Sequence, residues 1–211
     1  MPAIPSDQLT DQFACTRPCG STTAALIATT HHISGLLESC SYVRCILIDY
    51  SKAFDTINHS ILFRKLLKLP KSHPIFYFGF SAFLLTECKP FFSFGQTSTW
   101  IPVTHSIIQG SGIGPCLYLI YASDLRTLSP QNVIIKYADD TTLLVAQHSL
   151  VDMAQEYNNV CSWSTQNKLL ILSKLKKLFF TALLLETLVP VFRLLCQELK
   201  ELYKQRYLEL M

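Results

Sequence analysis

The spacing of apolar residues along the chain predicts four helices. Residues 21–38 carry leucine and isoleucine at roughly helical spacing, behind a serine or threonine that can cap the first turn. The same spacing recurs over residues 59–69, with Pro70 as the boundary, and over residues 116–128 and 151–166. The predicted helices are therefore separated by stretches with a different pattern.

Short apolar runs between these helices predict strands. Residues 43–49, "VRCILID", form a β-branched run typical of a buried strand, and the run ends on an acid. Residues 134–145, "IIKYADDTTLLV", resemble two strands that are joined by a turn at 137–140. Further short strands are expected around residues 91–95 and 100–108. This order of elements predicts an α+β domain with a small antiparallel sheet backed by helices.

Two adjacent acids interrupt the apolar run at residues 134–145. Asp139 and Asp140 repel each other, and neither gains from apolar surroundings. A hairpin turn would place both at one exposed edge of the sheet, and Asp49 would join them if the two strands are neighbours. Such a cluster is unstable without cations, and hard oxygen ligands suit Mg²⁺. The alternative is an ordinary polar turn, in which Asp is common.

Composition and charge exclude several classes of protein. The chain has 211 residues, 49% hydrophobic and 16% charged, which allows a sizeable core and argues against disorder. A net charge of +3 tolerates a nucleic-acid partner but does not indicate one. The N-terminus lacks the pattern of a secretory signal, and the apolar stretches 75–85 and 178–195 suit a core or an interface better than a bilayer. We expect an intracellular protein, in the nucleus or cytoplasm, without membrane contact.

Two patterns that resemble other ligand sites are weak. Cysteines at 15, 19, 40 and 45 surround His31 and His32, which allows a zinc site, but the spacing is loose and no CxxC occurs. Scattered reduced thiols of an intracellular protein are the favoured interpretation. The glycines of 109–115, "QGSGIGP", allow a dinucleotide loop, but the third glycine comes early and a proline follows it.

Four blocks of the chain, in the same order, resemble the reverse transcriptases of non-LTR (LINE-type) retrotransposons. They are "RCILIDYSKAFDTINH" (44–59), "SIIQGSGIGPCLYLIYASDL" (106–125), "YADD" (137–140) and "WSTQNKLLILSKLKK" (163–177). Upstream of them, "QFACTRPCGSTTAAL" (12–26) resembles the fingers segment of that family. The resemblance covers roughly residues 10–180, and ordered blocks over that span are a far stronger signal than any single motif.

The resemblance implies a polymerase palm that performs RNA-directed DNA synthesis by two-metal nucleotidyl transfer. An RNA template, a DNA primer and deoxynucleoside triphosphates would be its partners. Asp49 and Asp139 would bind two Mg²⁺ ions, for which Mn²⁺ could substitute. Asp140 would be the third carboxylate, and the backbone carbonyl of Tyr50 would add a ligand.

The resemblance also implies residues that contact the nucleotide: Arg17, Phe54, Gln109, Gly110 and Lys174. The ring of Phe54 would crowd a ribose 2′-hydroxyl and favour deoxynucleotides, although a core phenylalanine is the alternative. A solvated surface cation is the alternative for Arg17 and for Lys174. Tyr137 and Ala138 would support the catalytic hairpin.

The expected domain organisation is incomplete relative to that family. Residues 1–40 would be a partial fingers segment, and 41–180 the palm, with a second fingers-like segment at about 70–115. Residues 181–211 would form an unrelated C-terminal helical tail, and the thumb would be missing. We therefore expect a truncated retroelement remnant with little or no processive activity. The alternative is a non-enzymatic nucleic-acid-binding or protein-interaction module derived from the palm, whose tail covers a bare face or docks a partner.

Overall fold

The computed structural model describes residues 11–14, 20–68, 88–89, 92–93, 96–97, 99, 101–107, 113–172 and 176–181. The helices in this part of the chain are α1 (Thr22–Leu37), α2 (His59–Lys68), α3 (Gly114–Tyr121) and α4 (Met153–Gln166). All four correspond to predicted helices. The predicted α+β class is therefore confirmed.

A four-stranded antiparallel sheet forms the centre of the molecule. Its strands, in spatial order, are β10 (Lys176–Thr181), β1 (Tyr42–Ile48), β8 (Asp140–Ala146) and β7 (Val133–Tyr137). Short strands pair beside it: β2 (Tyr50–Ser51) with β9 (Leu170–Ile171), β3 (Cys88–Lys89) with β6 (Ile101–Pro102), and β4 (Phe92–Ser93) with β5 (Gln96–Thr97). Strand β10 begins at the end of the fourth sequence block (163–177) and continues beyond it, where the apolar pattern had not indicated a strand.

Helices cover both faces of the central sheet. Val43 and Cys45 of β1 pack with Ile33 of α1 on one face. Ile46 and Ile48 point the opposite way, into a core that α2, α3 and α4 share. Successive side chains of a strand alternate between faces, so a strand with helices on both sides must be apolar throughout. This requirement explains Val43 and the continuous apolar run from Cys45 to Ile48, whereas Arg44, near the start of β1, is only partly buried.

Side-chain caps set the beginnings of two helices. The Ser21 hydroxyl oxygen accepts the Ala24 amide at 3.0 Å at the start of α1. At the start of α4, Asp152 accepts the amide of Gln155 at 2.8 Å, and the Gln155 side chain accepts the amide of Asp152 at 2.9 Å. This reciprocal capping box satisfies two N–H groups that the helix itself leaves unpaired.

Helix α3 ends earlier than the periodicity of residues 116–128 predicts. It stops at Tyr121, so the predicted extension to Leu128 is wrong. The backbone carbonyls of Ala122 and Leu125 accept the ammonium of Lys136 at 2.9 and 3.0 Å. The amide of Leu128 donates to the Glu156 carboxylate at 2.9 and 3.0 Å. These distant side chains supply the partners that further helical turns would otherwise have provided.

The fully buried Lys136 connects strand β7 to the N-terminal segment. Its ammonium lies 2.9 Å from Oδ2 of Asp11, and its backbone amide donates to the Asp11 carbonyl at 2.7 Å. The Phe13 amide donates to the Lys136 carbonyl at 2.8 Å, so residues 11–13 extend the sheet beyond β7. Burial lowers the pKa of Lys136 to about 8, against the opposing effect of Asp11.

A junction of charged and aromatic side chains joins α2, α3 and α4. Asp124 accepts the Trp163 indole N–H at 2.8 Å and forms an ion pair with Lys65 at 2.6 Å. The Lys65 ammonium also lies 4.9 Å from the ring centroid of Tyr121 and 5.1 Å from that of Trp163. Tyr121 in turn donates to the carbonyl of Asn167. The tryptophan and asparagine of the fourth sequence block therefore hold the helices together behind the sheet.

Several predictions fall largely outside the described residues. Most of the expected second fingers-like segment (70–115) and nearly all of the expected tail (181–211) lie there. The apolar stretch 178–195 is described only to Thr181, where Leu178 and Phe179 are 43% and 63% exposed in β10. In the part of the chain that the structure describes, no helix is long and apolar enough to span a bilayer. Cys40, Cys45 and Cys161 are free thiols.

Candidate active site

The two adjacent acids lie at the tight turn of the β7–β8 hairpin. Tyr137 pairs with Asp140, so Ala138 and Asp139 alone form the turn. Ala138 has φ of 53°, a left-handed conformation that costs an alanine about 1 kcal/mol. The Thr141 hydroxyl donates to the Asp139 carbonyl at 3.3 Å. The apolar arms are held in the core, and the turn projects from the end of the sheet.

Strand β1 carries Asp49 to the same end of the sheet. Ile48, the last residue of β1, pairs with Thr141 of β8. Continuation of this antiparallel register by one residue places Asp49 opposite Asp140. Asp49 and Asp140, some ninety residues apart in the sequence, thus lie at the same edge of the sheet, and Asp139 lies beside them.

The electrostatics of Asp139 reflect this arrangement. Asp139 is half-buried, whereas Asp49 and Asp140 are exposed. Burial raises the pKa of the Asp139 carboxyl, and the negative charges of Asp140 and Asp49 raise it further, against a hydrogen bond from its own backbone amide. The three acids therefore repel one another in the absence of a counter-charge.

The carboxylate oxygens at this edge of the sheet are suitable ligands for a divalent cation. Carboxylate oxygens are hard ligands, and their mutual repulsion is relieved by a shared cation. Among the described residues, however, no group of three His, Cys, Asp or Glu side chains is already arranged to hold a metal ion. Because Asp49 and Asp140 are exposed, their side chains can rotate towards a shared ion. Substrate phosphates complete the shell of Mg²⁺ in many such sites.

The backbone beyond Asp49 is held by strand β9. The Leu172 amide donates to the Asp49 carbonyl at 2.9 Å, and Tyr50 pairs with Ile171. Hydrogen-bonded and non-hydrogen-bonded pairs alternate in an antiparallel ladder, so Tyr50 occupies a non-hydrogen-bonded position relative to β9. The Tyr50 carbonyl is therefore not used by that strand.

Phe54 lies in the turn that follows β2 and is held at its ring and at its backbone. The half-buried ring stacks on Tyr118 of α3, with centroids 4.7 Å apart and planes at 29°. The Phe54 carbonyl accepts the Ile107 amide at 2.9 Å. The Tyr118 hydroxyl oxygen is buried and has no hydrogen-bond partner in the described part of the chain. Burial raises the pKa of Tyr118, and the negative charge of Asp139 adds to this shift.

A family model for reverse transcriptase (RNA-dependent DNA polymerase) matches residues 8–203. The chain belongs to the reverse transcriptase family. This reverse transcriptase chain is 31% identical over 122 residues to the RNA-directed DNA polymerase from the Drosophila melanogaster mobile element jockey. It is 30% identical over 147 residues to the probable RNA-directed DNA polymerase from transposon BS of the same species. These alignments cover 54% and 64% of this chain and span only 13% and 16% of the relatives.

Solved telomerase structures share the fold of this reverse transcriptase chain. Telomerase from Candida tropicalis, in complex with a TWJ fragment of telomeric RNA, matches with a TM-score of 0.64 over 84% of this chain and 31% of its own. Telomerase from Candida albicans, also with a TWJ fragment, matches with a TM-score of 0.52 over 83% of this chain and 32% of its own. Identities of 12% and 10% make this a likeness of fold. The palm-like α+β architecture is thereby confirmed, and membership of the family implies a divalent metal ion.

Some of the expected site residues of this reverse transcriptase lie outside the described part: Arg17, Gln109, Gly110 and Lys174. Their roles remain predictions from the resemblance. Asp49, Asp139 and Asp140 come together as described, with Tyr50, Tyr137 and Ala138 in the adjoining backbone.

Sequence reasoning missed the side chains that support the site from behind. Lys136 lies in the apolar strand β7 and Glu156 on the core-facing side of α4, and both are fully buried. A charge at a core-facing position of the periodic pattern was the available signal for both. Asn58 and His59 end the first of the four sequence blocks (44–59), but nothing in their spacing indicated which residues they contact.

Proposed function

We propose that this chain carries the nucleotidyl-transfer centre of an RNA-directed DNA polymerase, which extends a DNA primer on an RNA template. The observation that supports this most directly is the register that brings Asp49 opposite Asp140, beside the turn residue Asp139. The family match and the two relatives named as RNA-directed DNA polymerases supply the reaction class.

The carboxylate edge would hold two Mg²⁺ ions, with Mn²⁺ as a substitute. Asp49 and Asp139 would each contact both ions, Asp140 would be the third carboxylate, and the Tyr50 carbonyl would be a further ligand. Divalent cations in such a site neutralise the triphosphate and favour the ionised primer hydroxyl. The chain itself contributes the placement of these three residues at one edge of the sheet, which the β1–β8 register and the short hairpin determine.

The remaining residues would bind and select the nucleotide. The Phe54 ring would exclude a ribose 2′-hydroxyl, and its stacking on Tyr118 supports this role because the ring position is defined. Tyr137 and Ala138 would hold the hairpin turn. By resemblance, Arg17 and Lys174 would contact phosphates, and the Gln109–Gly110 backbone would approach the sugar.

Primer extension on an RNA template tests this function. With Mg²⁺ or Mn²⁺ we expect short products, because a net charge of +3 provides few phosphate contacts and weak duplex binding. Chelation of the divalent ion should abolish extension, and re-addition should restore it. Extension that persists in excess chelator, or none at low salt with either ion, would contradict the proposal.

A second candidate function is a non-enzymatic interaction module, which an apolar groove favours. A cavity of about 350 Å³ opens between α1 and the sheet face, and its lining includes Leu26, Leu47, Ile135, Leu178 and Phe180. Leu26 is 51% exposed at the rim. We propose that residues 182–211 of this chain cover the groove, because they follow directly on β10, which supplies two of the lining residues.

Size-exclusion chromatography tests this role by comparing the oligomeric state of the full chain with that of a chain that ends at Thr181. If residues 182–211 cover the groove, their removal exposes apolar surface, and the shortened chain should self-associate. A Leu178→Ser substitution in the shortened chain is the matched control and should reduce that association. Two identical monomers would count against this role of the tail.

A further inference from the structure

The turn that carries Phe54 is hydrogen-bonded along its length to residues 104–107. Three backbone amides form this connection: Ile107 donates to the Phe54 carbonyl at 2.9 Å, Ser106 to Ile57 at 2.9 Å, and His59 to Thr104 at 3.0 Å. Asn58 and His105 also form an isolated antiparallel bridge. Residues 54–59 and 104–107, joined in this way, are here termed the clamp.

Two side chains strengthen the clamp from the start of helix α2. The Nε2 atom of His59 lies 2.7 Å from the carbonyl oxygen of Ser106. Because a carbonyl oxygen can only accept, Nε2 carries the hydrogen. The Asn58 side chain acts in two directions, since Oδ1 accepts the Ile61 amide at 3.1 Å and Nδ2 donates to Nε2 of His105 at 2.9 Å. Asn58 therefore caps α2 and holds the facing segment at the same time.

The clamp contains two energetically unfavourable features. Ser106 has φ of 85°, a conformation that L side chains rarely adopt. His59 is 8% exposed, and its Nδ1 atom is buried without a hydrogen-bond partner among the described residues. Such features persist where surrounding contacts over-determine the backbone, and they concentrate at functional positions. Ile57 and Ile107, which are almost completely buried, provide those contacts.

Phe54 is consequently fixed from two independent directions. The clamp holds its carbonyl through Ile107, and Tyr118 of α3 holds its ring by stacking. A ring that discriminates between hydrogen and hydroxyl at a sugar carbon must be placed to well within 1 Å, because a larger shift admits the hydroxyl. The connection of this turn to residues fifty positions away in the sequence supplies that precision.

We propose that the clamp positions the Phe54 ring and thereby sets the preference for deoxyribonucleotides over ribonucleotides, with Asn58 and His59 as positioning residues. This inference rests on the proposed function, since Phe54 selects sugars only if the chain binds nucleotides. His59 would not contact the nucleotide itself. It acts through Ser106, whose neighbour Ile107 holds the Phe54 backbone.

Equilibrium binding of dATP and ATP to the full chain, with Mg²⁺ present, tests the proposal without requiring turnover. We expect the unaltered chain to bind dATP more tightly and the F54A variant to lose that preference. His59→Phe removes the hydrogen bond to Ser106 and should reduce the ratio of the two Kd values by about threefold to tenfold. His59→Gln keeps a donor that can reach the carbonyl and should restore most of the ratio. Each variant's Tm is measured in parallel.

The outcomes separate the inference from the proposed function. If the unaltered chain binds neither nucleotide, the proposed function fails, and the role of the clamp fails with it. If Phe54→Ala removes the preference for dATP while a folded His59→Phe variant keeps it in full, the proposed role of the clamp is wrong and the proposed function stands. If His59→Phe does not fold, Asn58→Ser decides, because serine still caps α2 but cannot reach His105. Loss of preference in that variant supports the clamp, and a full preference overturns it.

Discussion

Asp139→Asn is expected to lower the rate of primer extension by about a thousandfold or more, without loss of the fold. The substitution keeps the size of the side chain and removes the charge that a divalent cation requires. Asp139 lies at the turn between two strands whose apolar residues are buried, so the hairpin itself does not depend on its carboxylate. Single-nucleotide addition on an RNA template, measured over minutes to hours, covers this range of rates.

The same substitution should raise the Tm in metal-free buffer. The pKa of Asp139 is raised by burial and by the charges of Asp140 and Asp49, so its ionised form is disfavoured in the folded state. Neutralisation removes that cost. Addition of Mg²⁺ should stabilise the unaltered chain more than the variant, because a bound ion stabilises only the form that binds it.

Glu38→Gln is the charge-matched control for this experiment. Glu38 is an exposed residue at the end of α1, and its substitution also removes one negative charge. Extension and the response to Mg²⁺ should be unchanged in that variant. An Asp139→Asn protein that still extends primers at the unaltered rate would show that the carboxylate edge does not perform the chemistry.

Glu156→Ala is expected to lower the free energy of unfolding by about 4 kcal/mol. Glu156 is fully buried on α4, and its carboxylate accepts hydrogen bonds from three neighbouring residues. The donors are the backbone amides of Leu128 and Ser129 and the side-chain amide of Asn132, all within 3.0 Å. Alanine would leave these buried donors without a partner and would open a cavity.

Glu156→Gln separates the hydrogen bonds from the packing. Glutamine has nearly the same volume, but its amide nitrogen would face an N–H donor, so we expect a loss of about 1–2 kcal/mol. Urea denaturation with a fitted slope distinguishes a loss of stability from a change in the unfolded state. Equal, small losses for both variants would mean that water replaces the carboxylate in the 128–132 loop. That loop leads directly into β7, the first arm of the hairpin that carries Asp139 and Asp140. If these acids perform the proposed chemistry, Glu156→Ala should also slow primer extension.

The elements that the apolar pattern predicted correctly are those that are stabilised by contacts between residues close together in the sequence. Helix α1 begins at a capping serine that the sequence indicated, because an N-cap side chain bonds within its own first turn. The β7–β8 hairpin was equally legible, since its strands are joined by two residues. Family membership was legible too, because ordered motif blocks are a property of the sequence itself.

Where α3 ends could not be predicted, because residues distant in the sequence decide it. Lys136 lies outside residues 116–128 and so has no part in their helical pattern. Its ammonium nevertheless donates hydrogen bonds to the carbonyls of Ala122 and Leu125. Strand β10 was missed for a similar reason. Its partner is β1, more than 120 residues earlier in the chain. In addition, the neighbouring apolar residues Leu178 and Phe179 are both exposed at the sheet edge, so the sequence does not alternate between apolar and polar residues as a half-buried strand would.

The sequence by itself determined the class of the fold, the positions of most helices, the hairpin and the identity of the three acids. These follow from short-range periodicity, capping and motif order. Only the tertiary structure decided that Asp49 lies opposite Asp140 and that residues 104–107 hold the turn of Phe54. Both depend on the register between segments that lie far apart in the chain, and register follows from the simultaneous burial of both faces of the sheet rather than from any single segment.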